Sequence, residues 1–300
     1  MSSEPIEMTH TSVTHTSDLT ETTEMSEPTQ PVEPAEPAGA GALLEARDVR
    51  HTYGAGTREE HVALGGISFS VDQGEFVSIV GPSGCGKTTL MRCVSGLMKP
   101  TSGTISMKGE VISAVPADLT LVFQDYSRSL YPWLRVAANV DFPLKDAGLA
   151  RPEREERVAQ ALADVGLTGH ETKYPRQLSG GMQQRVAIAR ALAYRPAMLL
   201  MDEPYASVDA QTRASLEDML LDVWERRNKT VLFVTHDIDE SVYLADRVLV
   251  LSNGPSRVIA DIAVDIARPR DQIDTKATPE FVELRAEVAR LIRDASSGAI

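Results

Sequence analysis

The nine residues Gly81-Pro82-Ser83-Gly84-Cys85-Gly86-Lys87-Thr88-Thr89 separate an apolar run at residues 76–80 from a second one at residues 90–97. This reads as a strand, a glycine-rich turn and a helix start. Gly81, Gly86, Lys87 and Thr88 satisfy the spacing G-x-x-x-x-G-K-[ST] in the strand-before, helix-after setting that gives the spacing meaning. Glycines let the backbone curl with its N–H groups pointing inward, so the turn and the positive end of the next helix form one anion site. Lys87 is expected to reach the β- and γ-phosphates of a nucleotide, and the Thr88 hydroxyl to ligate Mg²⁺. Such a loop predicts an α/β fold.

Charge is unevenly placed along the 300 residues. Glu4, Glu7, Asp18, Glu21, Glu24, Glu27, Glu33 and Glu36 fall in residues 1–42, which hold no Lys or Arg, so −8 of the formal net charge of −13 lies there. That segment is rich in Thr, Ser, Glu and Pro and poor in large apolar residues. It cannot bury enough surface to offset chain entropy and is expected to be a disordered acidic tail. Its acidity excludes a transit peptide, and it lacks the basic start and apolar centre of a secretory signal. No window reaches the roughly 20 apolar residues that span a bilayer, so the chain is expected to be soluble by itself. Cys85 and Cys93 fit neither a disulfide framework nor metal spacing and read as small apolar fillers in a reducing compartment. An acidic chain without a basic run argues against nucleic acid as a partner.

Ahead of the loop, residues 43–49 and 62–71 read as strands of an antiparallel flap, the second alternating at Ile67, Phe69 and Val71. Tyr53, at the end of the first, is either a half-buried strand tyrosine or a ring that stacks on a flat base. After the loop, a turn at residues 100–103 leads to a short strand through Ile105 and Met107, and residues 119–123 read as a buried strand ending at Gln124. Amphipathic runs at about 135–148 and 152–166 form a helical insertion, the second opened by Pro152 with Glu153, Glu155 and Glu156 in its first turn. Trp133, beside Pro132, is either a core plug or a partner anchor.

Ser179-Gly180-Gly181 at the start of a further helix is a second anion site by the same dipole argument, without a phosphate lysine of its own. The apolar run at residues 197–201 reads as a core strand ending on Asp202 and Glu203, where open α/β sheets bind ligands. Asp202 is expected to hold Mg²⁺ and Glu203, pointing the other way, to polarise an attacking water. Asp209 caps a long helix to about Asn228. The strand at residues 230–235 then carries His236 at its tip, parallel to the strand that delivers Glu203. Two last strands and a helix from about residue 279 to 295 close the chain.

The phosphate loop, Gln124, Leu178-Ser179-Gly180-Gly181, the Asp202-Glu203 strand end, Asp209 and His236, in that order, resemble the ATP-binding cassette of ABC transporters over residues 43–295. Tyr131-Pro132-Trp133, Lys173-Tyr174-Pro175, residues 178–185, residues 233–237, residues 243–247 and Arg268-Pro269-Arg270 are similar to the nitrate, sulfonate and taurine importer branch. The resemblance implies a mixed core sheet, an N-terminal antiparallel β subdomain and a helical subdomain inserted at about residues 126–190, with residues 296–300 as a short tail. It implies ATP and Mg²⁺ as ligands. Tyr53 would then stack on adenine, residues 81–89 would hold the phosphates, and Gln124 would sense Mg²⁺ and the attacking water. His236 would contact the γ-phosphate, Asp209 would cross a dimer interface, and Ser179, Gly180 and Gly181 would bind the γ-phosphate held by the other protomer. The implied partners are a second cassette, an integral membrane permease and, through it, an external solute-binding protein, at the cytoplasmic face of the membrane. Met182 and residues 206–209 depart from the commonest cassette pattern, conservatively.

Rival readings meet specific obstacles. A repair ATPase of this type carries a long coiled-coil insertion, and a translation type usually carries two cassettes; this chain has neither. A GTPase needs an Asn-Lys-x-Asp base reader, but Asn228-Lys229 is followed by Thr230-Val231. Another importer, or an exporter cassette, is the alternative that survives. The solute is not written in these residues, because its specificity resides in the implied partners.

Overall fold

The structure, a computed structural model, describes residues 42–125 and 129–297. The expected acidic tail lies outside the described residues. Two sheets share the chain. Strands β1 (Ala42–Tyr53), β2 (His61–Asp72), β4 (Ser102–Met107) and β5 (Glu110–Val111) form an antiparallel sheet in the order β2-β1-β4-β5. Strands β3 (Phe76–Val80), β6 (Leu119–Val122), β7 (Met198–Asp202), β8 (Thr230–Val234), β9 (Arg247–Leu251) and β10 (Val258–Ala263) form the second, in the order β10-β9-β3-β8-β7-β6. Its neighbours pair in parallel except β10, which runs antiparallel to β9. The expected mixed core sheet and antiparallel flap are both present.

The helices are α1 (Lys87–Val94), α2 (Val136–Asp141), α3 (Arg151–Asp164), α4 (Gly180–Ala193), α5 (Ala210–Arg227), α6 (Ile238–Leu244) and α7 (Pro279–Ser297). Local sequence accounts for their ends. Pro152 lies in the first turn of α3, where its missing N–H costs nothing, with Glu153 beside it. Asp209 caps α5 by accepting from the Thr212 N–H at 3.0 Å, and Asn228 ends it in the left-handed conformation, φ 46°. Helix α7 runs two residues beyond the expected 295. No helix of the described residues is long and apolar enough to cross a membrane.

The mixed sheet divides the interior in two by the alternation of its side chains. Phe76, Val80, Leu199, Met201, Val231 and Phe233 face the side covered by α4, α5 and α6. Val77, Ile79, Met198, Leu200, Leu232 and Val234 face α1 and the antiparallel sheet. On the first side Phe233 packs between Phe76 and Tyr205, ring centroids 5.9 and 5.6 Å away. Burying a ring of that size contributes about 2–3 kcal/mol. Strands β3, β7 and β8 are buried on both faces, as their unbroken apolar runs require.

Strand β6 corrects an expectation. Residues 119–123 read as a buried strand, but β6 is the edge of the sheet, Thr120 and Leu121 are half-buried, and Phe123 is 48 % exposed. An apolar run does not distinguish a central strand from an edge one that faces a neighbouring layer. Cys85 and Cys93 are buried free thiols, as expected, and burial pushes the Cys93 thiol up to about 11. Arg268 stacks on Trp224 at 4.2 Å, and Arg270 donates to the carbonyls of Val242, Tyr243 and Ala245 at the end of α6.

Candidate functional site

Strands β3, β7 and β8 are neighbours in register, so their C-terminal ends deliver the phosphate loop, Asp202-Glu203 and His236 to one edge of the sheet. A cavity of about 470 Å³ opens there, lined by Ser83, Gly84, Gly86, Lys87, Thr88, Thr89, Glu203 and His236. Gly86 caps α1 at φ 105°, and a Cβ on it would stand 3.0 Å from Leu64 Cδ2 and 3.1 Å from the Ala63 carbonyl. Only glycine meets both demands. Lys87 is buried, and its Nζ donates to the carbonyls of Gly81 at 2.9 Å and Pro82 at 3.1 Å. The ammonium is thereby held inside the curl of the loop.

The two adjacent carboxylates are held differently. Asp202 is buried, and its Oδ1 has no hydrogen-bond partner among the described residues. Burial, and then the neighbouring Glu203, raise its carboxyl above the ordinary value, against the pull of the Thr88 hydroxyl, Lys87 and Arg92. A buried carboxylate oxygen without a donor, next to a hydroxyl, suits a hard cation that takes oxygen ligands. No group of three or more His, Cys, Asp or Glu among the described residues could cage a metal alone.

Glu203 follows the strand end at φ 44°, a left-handed conformation uncommon for a residue with a Cβ and held here by its N–H donating to the Val234 carbonyl at 2.8 Å. The turn sends its carboxylate toward the cavity. Its Oε2 lies 3.0 Å from His236 Nδ1 and accepts from Gln124 Nε2 at 3.3 Å. Three residues chosen from separate strand ends thus meet at one oxygen.

The other expected residues are not among those that line the cavity. Ser179 caps α4, accepting from the Met182 N–H at 3.3 Å, and Asp209 caps α5. A Cβ on Gly181 would stand 2.2 Å from Thr212 Cγ2, so the starts of α4 and α5 touch through a glycine. Neither Ser179, Gly180, Gly181 nor Asp209 lines the cavity. Tyr53 is 37 % exposed at the end of β1, its hydroxyl 3.0 Å from Thr89 Oγ1 and its ring edge-on to His51. Trp133 is 70 % exposed, which removes the core-plug reading. It flanks a groove of about 640 Å³ between the end of β6 and α2, lined by Phe123, Asp125, Tyr131, Phe142 and Arg190 among others.

Two features escaped the sequence. Arg213 reaches Asp237 Oδ2 at 2.9 Å and Glu240 Oε1 at 3.4 Å, tying α5 to the loop that carries His236. Glu240 is itself buried, accepting from the Thr235 hydroxyl at 2.6 Å, and burial pushes it up to about 7. Helical spacing alone puts an arginine and two acids on solvated faces, so nothing in the pattern marked them.

The chain matches the ABC transporter family model over residues 64–206. The nitrate import ATP-binding protein NrtD of Synechocystis sp. is 42% identical over 255 residues, 83% of this chain and 95% of that protein. The bicarbonate transport ATP-binding protein CmpC of Synechococcus elongatus is 47% identical over 234 residues, 76% of this chain and 35% of that longer protein. Among solved structures, a dimeric ATP-binding cassette in a post-hydrolysis state with ADP and Pi superposes with a TM-score of 0.65 at 33% identity, over 74% of this chain and 99% of that one.

Proposed function

The chain belongs to the ATP-binding proteins of ABC transporters, and on that footing we propose that it powers uptake of a small anion by hydrolysing ATP at the cavity between the phosphate loop and Glu203. The observation that carries the reading is the Glu203 carboxylate, aimed at that cavity and gripped at one oxygen by both His236 and Gln124. The donors fix the carboxylate's direction and leave its second oxygen to take a proton from water. The water oxygen bonds to the γ-phosphorus, the bond to the bridging oxygen breaks, and ADP and phosphate leave.

Residues 81–89 bind the phosphates through backbone N–H groups, and Lys87 supplies a charge already preorganised by the loop carbonyls. Thr88, Asp202 and Gln124 hold Mg²⁺, which when bound neutralises charge developing on the phosphate oxygens. Tyr53 stacks on the adenine. Ser179, Gly180, Gly181 and Asp209 face a second copy of the chain and complete its site; that none of them lines the cavity of their own chain supports this division of labour. The partners are a membrane permease, seated in the groove beside Trp133, and an external solute-binding protein, with the cassette at the cytoplasmic face.

For the solute, nitrate is favoured by the resemblance to a nitrate import protein along nearly its whole length; bicarbonate, after the second relative, aliphatic sulfonates and taurine are the competing small anions. A strain carrying Lys87→Ala is grown on nitrate as sole nitrogen source and on an alkanesulfonate as sole sulfur source, with ammonium and sulfate controls. Loss of growth on nitrate alone supports nitrate, and loss on sulfonate alone replaces it. In vitro, Glu203→Gln is expected to bind ATP and lose at least ~100-fold in turnover; turnover at the parental rate removes Glu203 from the reaction.

A further inference from the structure

At the end of the mixed sheet opposite the phosphate loop, a recess of about 350 Å³ lies between α3 and the segments that lead into β7 and β8. Four of its lining side chains are cationic, Arg157, Arg195, Arg227 and Lys229, and one is anionic, Asp164. Asp164 is already satisfied. Arg227 holds both its oxygens, at 3.0 and 2.8 Å, and Arg226 approaches at 3.5 Å.

The other three cations have no such partner inside the recess. Arg157 pairs by Nη2 with Glu153, on its own helix, while its Nε is buried with no acceptor. Lys229 spends one proton on the Pro196 carbonyl at 2.9 Å. Its ammonium is pushed below the ordinary lysine value, first by burial and then by Arg227 and Arg195. Like charges are thus gathered where they repel. The negative ends of α4 and α5 favour cations nearby, which accounts for placing Arg195, Arg227 and Lys229. It does not account for Arg157, which comes from the middle of α3 and brings into the recess one of several buried arginine donors that have no hydrogen-bond acceptor among the described residues.

We propose that this recess is a binding site for a small polyanion of the phosphate or phosphate-monoester class, held by Arg157, Arg195 and Lys229. Planar guanidinium groups match tetrahedral oxyanions by paired N–H donors, and the lysine adds a point charge. The volume is at the lower end of small-molecule sites, enough for a phosphate with a short carbon chain. A bound anion would connect α3, in the helical insertion, to the two strands that deliver Glu203 and His236.

The test uses inorganic phosphate and glycerol 3-phosphate as probes, with the full chain, its nucleotide cavity saturated with Mg²⁺ and ADP, and ionic strength held with chloride. Calorimetry is expected to show one saturable site below ~10 mM. Arg195→Gln with Lys229→Gln, and separately Arg157→Gln, should weaken it at least tenfold. In parallel, a probe at ten times the parent's dissociation constant should raise the folding equilibrium constant of the parent about elevenfold, seen as a higher melting temperature, and that of the double variant no more than about twofold. Without probe the double variant should melt no lower than the parent, since it loses repulsion. Absence of saturable binding in the parent, or binding that the folded variants retain, overturns the proposal.

Discussion

Arg213 Nη1 lies 2.9 Å from Asp237 Oδ2, an ion pair that joins the first turn of α5 to the residue capping α6. Asp237 follows His236, and Arg213 follows Asp209 by one helical turn, so the pair links the residue expected to contact the γ-phosphate to the one expected to cross a dimer interface. Arg213 also reaches the Val208 carbonyl at 3.4 Å. Arg213→Ala is expected to lower turnover about tenfold while changing nucleotide affinity less than about twofold, because it loosens the position of His236 rather than the phosphate loop. Arg213→Lys should recover part of the rate. The pair is about a third exposed, so its loss costs only about 1–2 kcal/mol of stability. Equal losses in affinity and rate would refute a positioning role.

Gly181 leaves no room for a methyl group against Thr212. Gly181→Ala should force α4 and α5 apart, costing about 1–3 kcal/mol and weakening ATP-induced dimerisation in a Glu203→Gln background, read by size-exclusion chromatography. Thr212→Ser removes the methyl that the new Cβ would strike and keeps the hydroxyl. The double variant should therefore dimerise better than Gly181→Ala alone, and additivity of the two changes would show that this contact is not the cause.

Asp202 carries a carboxyl raised by burial, so ionising it disfavours the metal-free fold as pH rises above its ordinary range. Asp202→Asn is expected to raise the melting temperature at pH 8 without Mg²⁺, and to raise the Mg²⁺ concentration for half-maximal ATP turnover at least ~10-fold. A variant whose Mg²⁺ dependence matches the parent would exclude Asp202 as a metal ligand.

Glu240 titrates at about 7 instead of 4.5, chiefly through burial, with Asp237 and Glu217 adding repulsion and Thr235 and Arg213 opposing it. The folded state therefore binds a proton that the unfolded state has released, and stability falls as pH rises from about 4.5 through 7. Across that window the loss is on the order of 3 kcal/mol. Glu240→Gln keeps the shape and removes the charge, so its denaturant midpoint should vary less than the parent's between pH 5 and 8. An unchanged slope would mean that Glu240 is ionised throughout.

The parts of this molecule that were readable from its residues share one property: they depend on backbone shape or on an unbroken run. The phosphate loop needs glycines at fixed places, α5 needs Asp209 before it and Asn228 after it, and β3, β7 and β8 must be apolar on both faces. Those requirements are local. The edge position of β6 is not, since it depends on which strand pairs beyond β7, so the apolar run alone puts Phe123 in the interior while the sheet leaves it 48 % exposed. The Arg213, Asp237 and Glu240 cluster was illegible for the same reason: its members come from two helices whose separation only the packed sheet decides. Glu203 lay between the cases. Its side chain was assigned to the cavity from strand alternation, but the left-handed turn that aims it has no mark in the sequence.

Gln124 follows the shorter of the two edge strands of the mixed sheet. Strand β6 is four residues long and bonded along one side only, to β7, while β7, β3 and β8 each lie between two neighbours. Local opening is governed by such differences, so the amides of residues 119–122 should exchange with solvent deuterium much faster than those of residues 198–202 under native conditions. The donor that grips Glu203 from one side thus follows an edge strand, and its partner His236 follows a strand paired on both sides. One oxygen is held between a slow clock and a fast one, and occupancy of the cavity should be legible as slowed exchange on the β6 side alone.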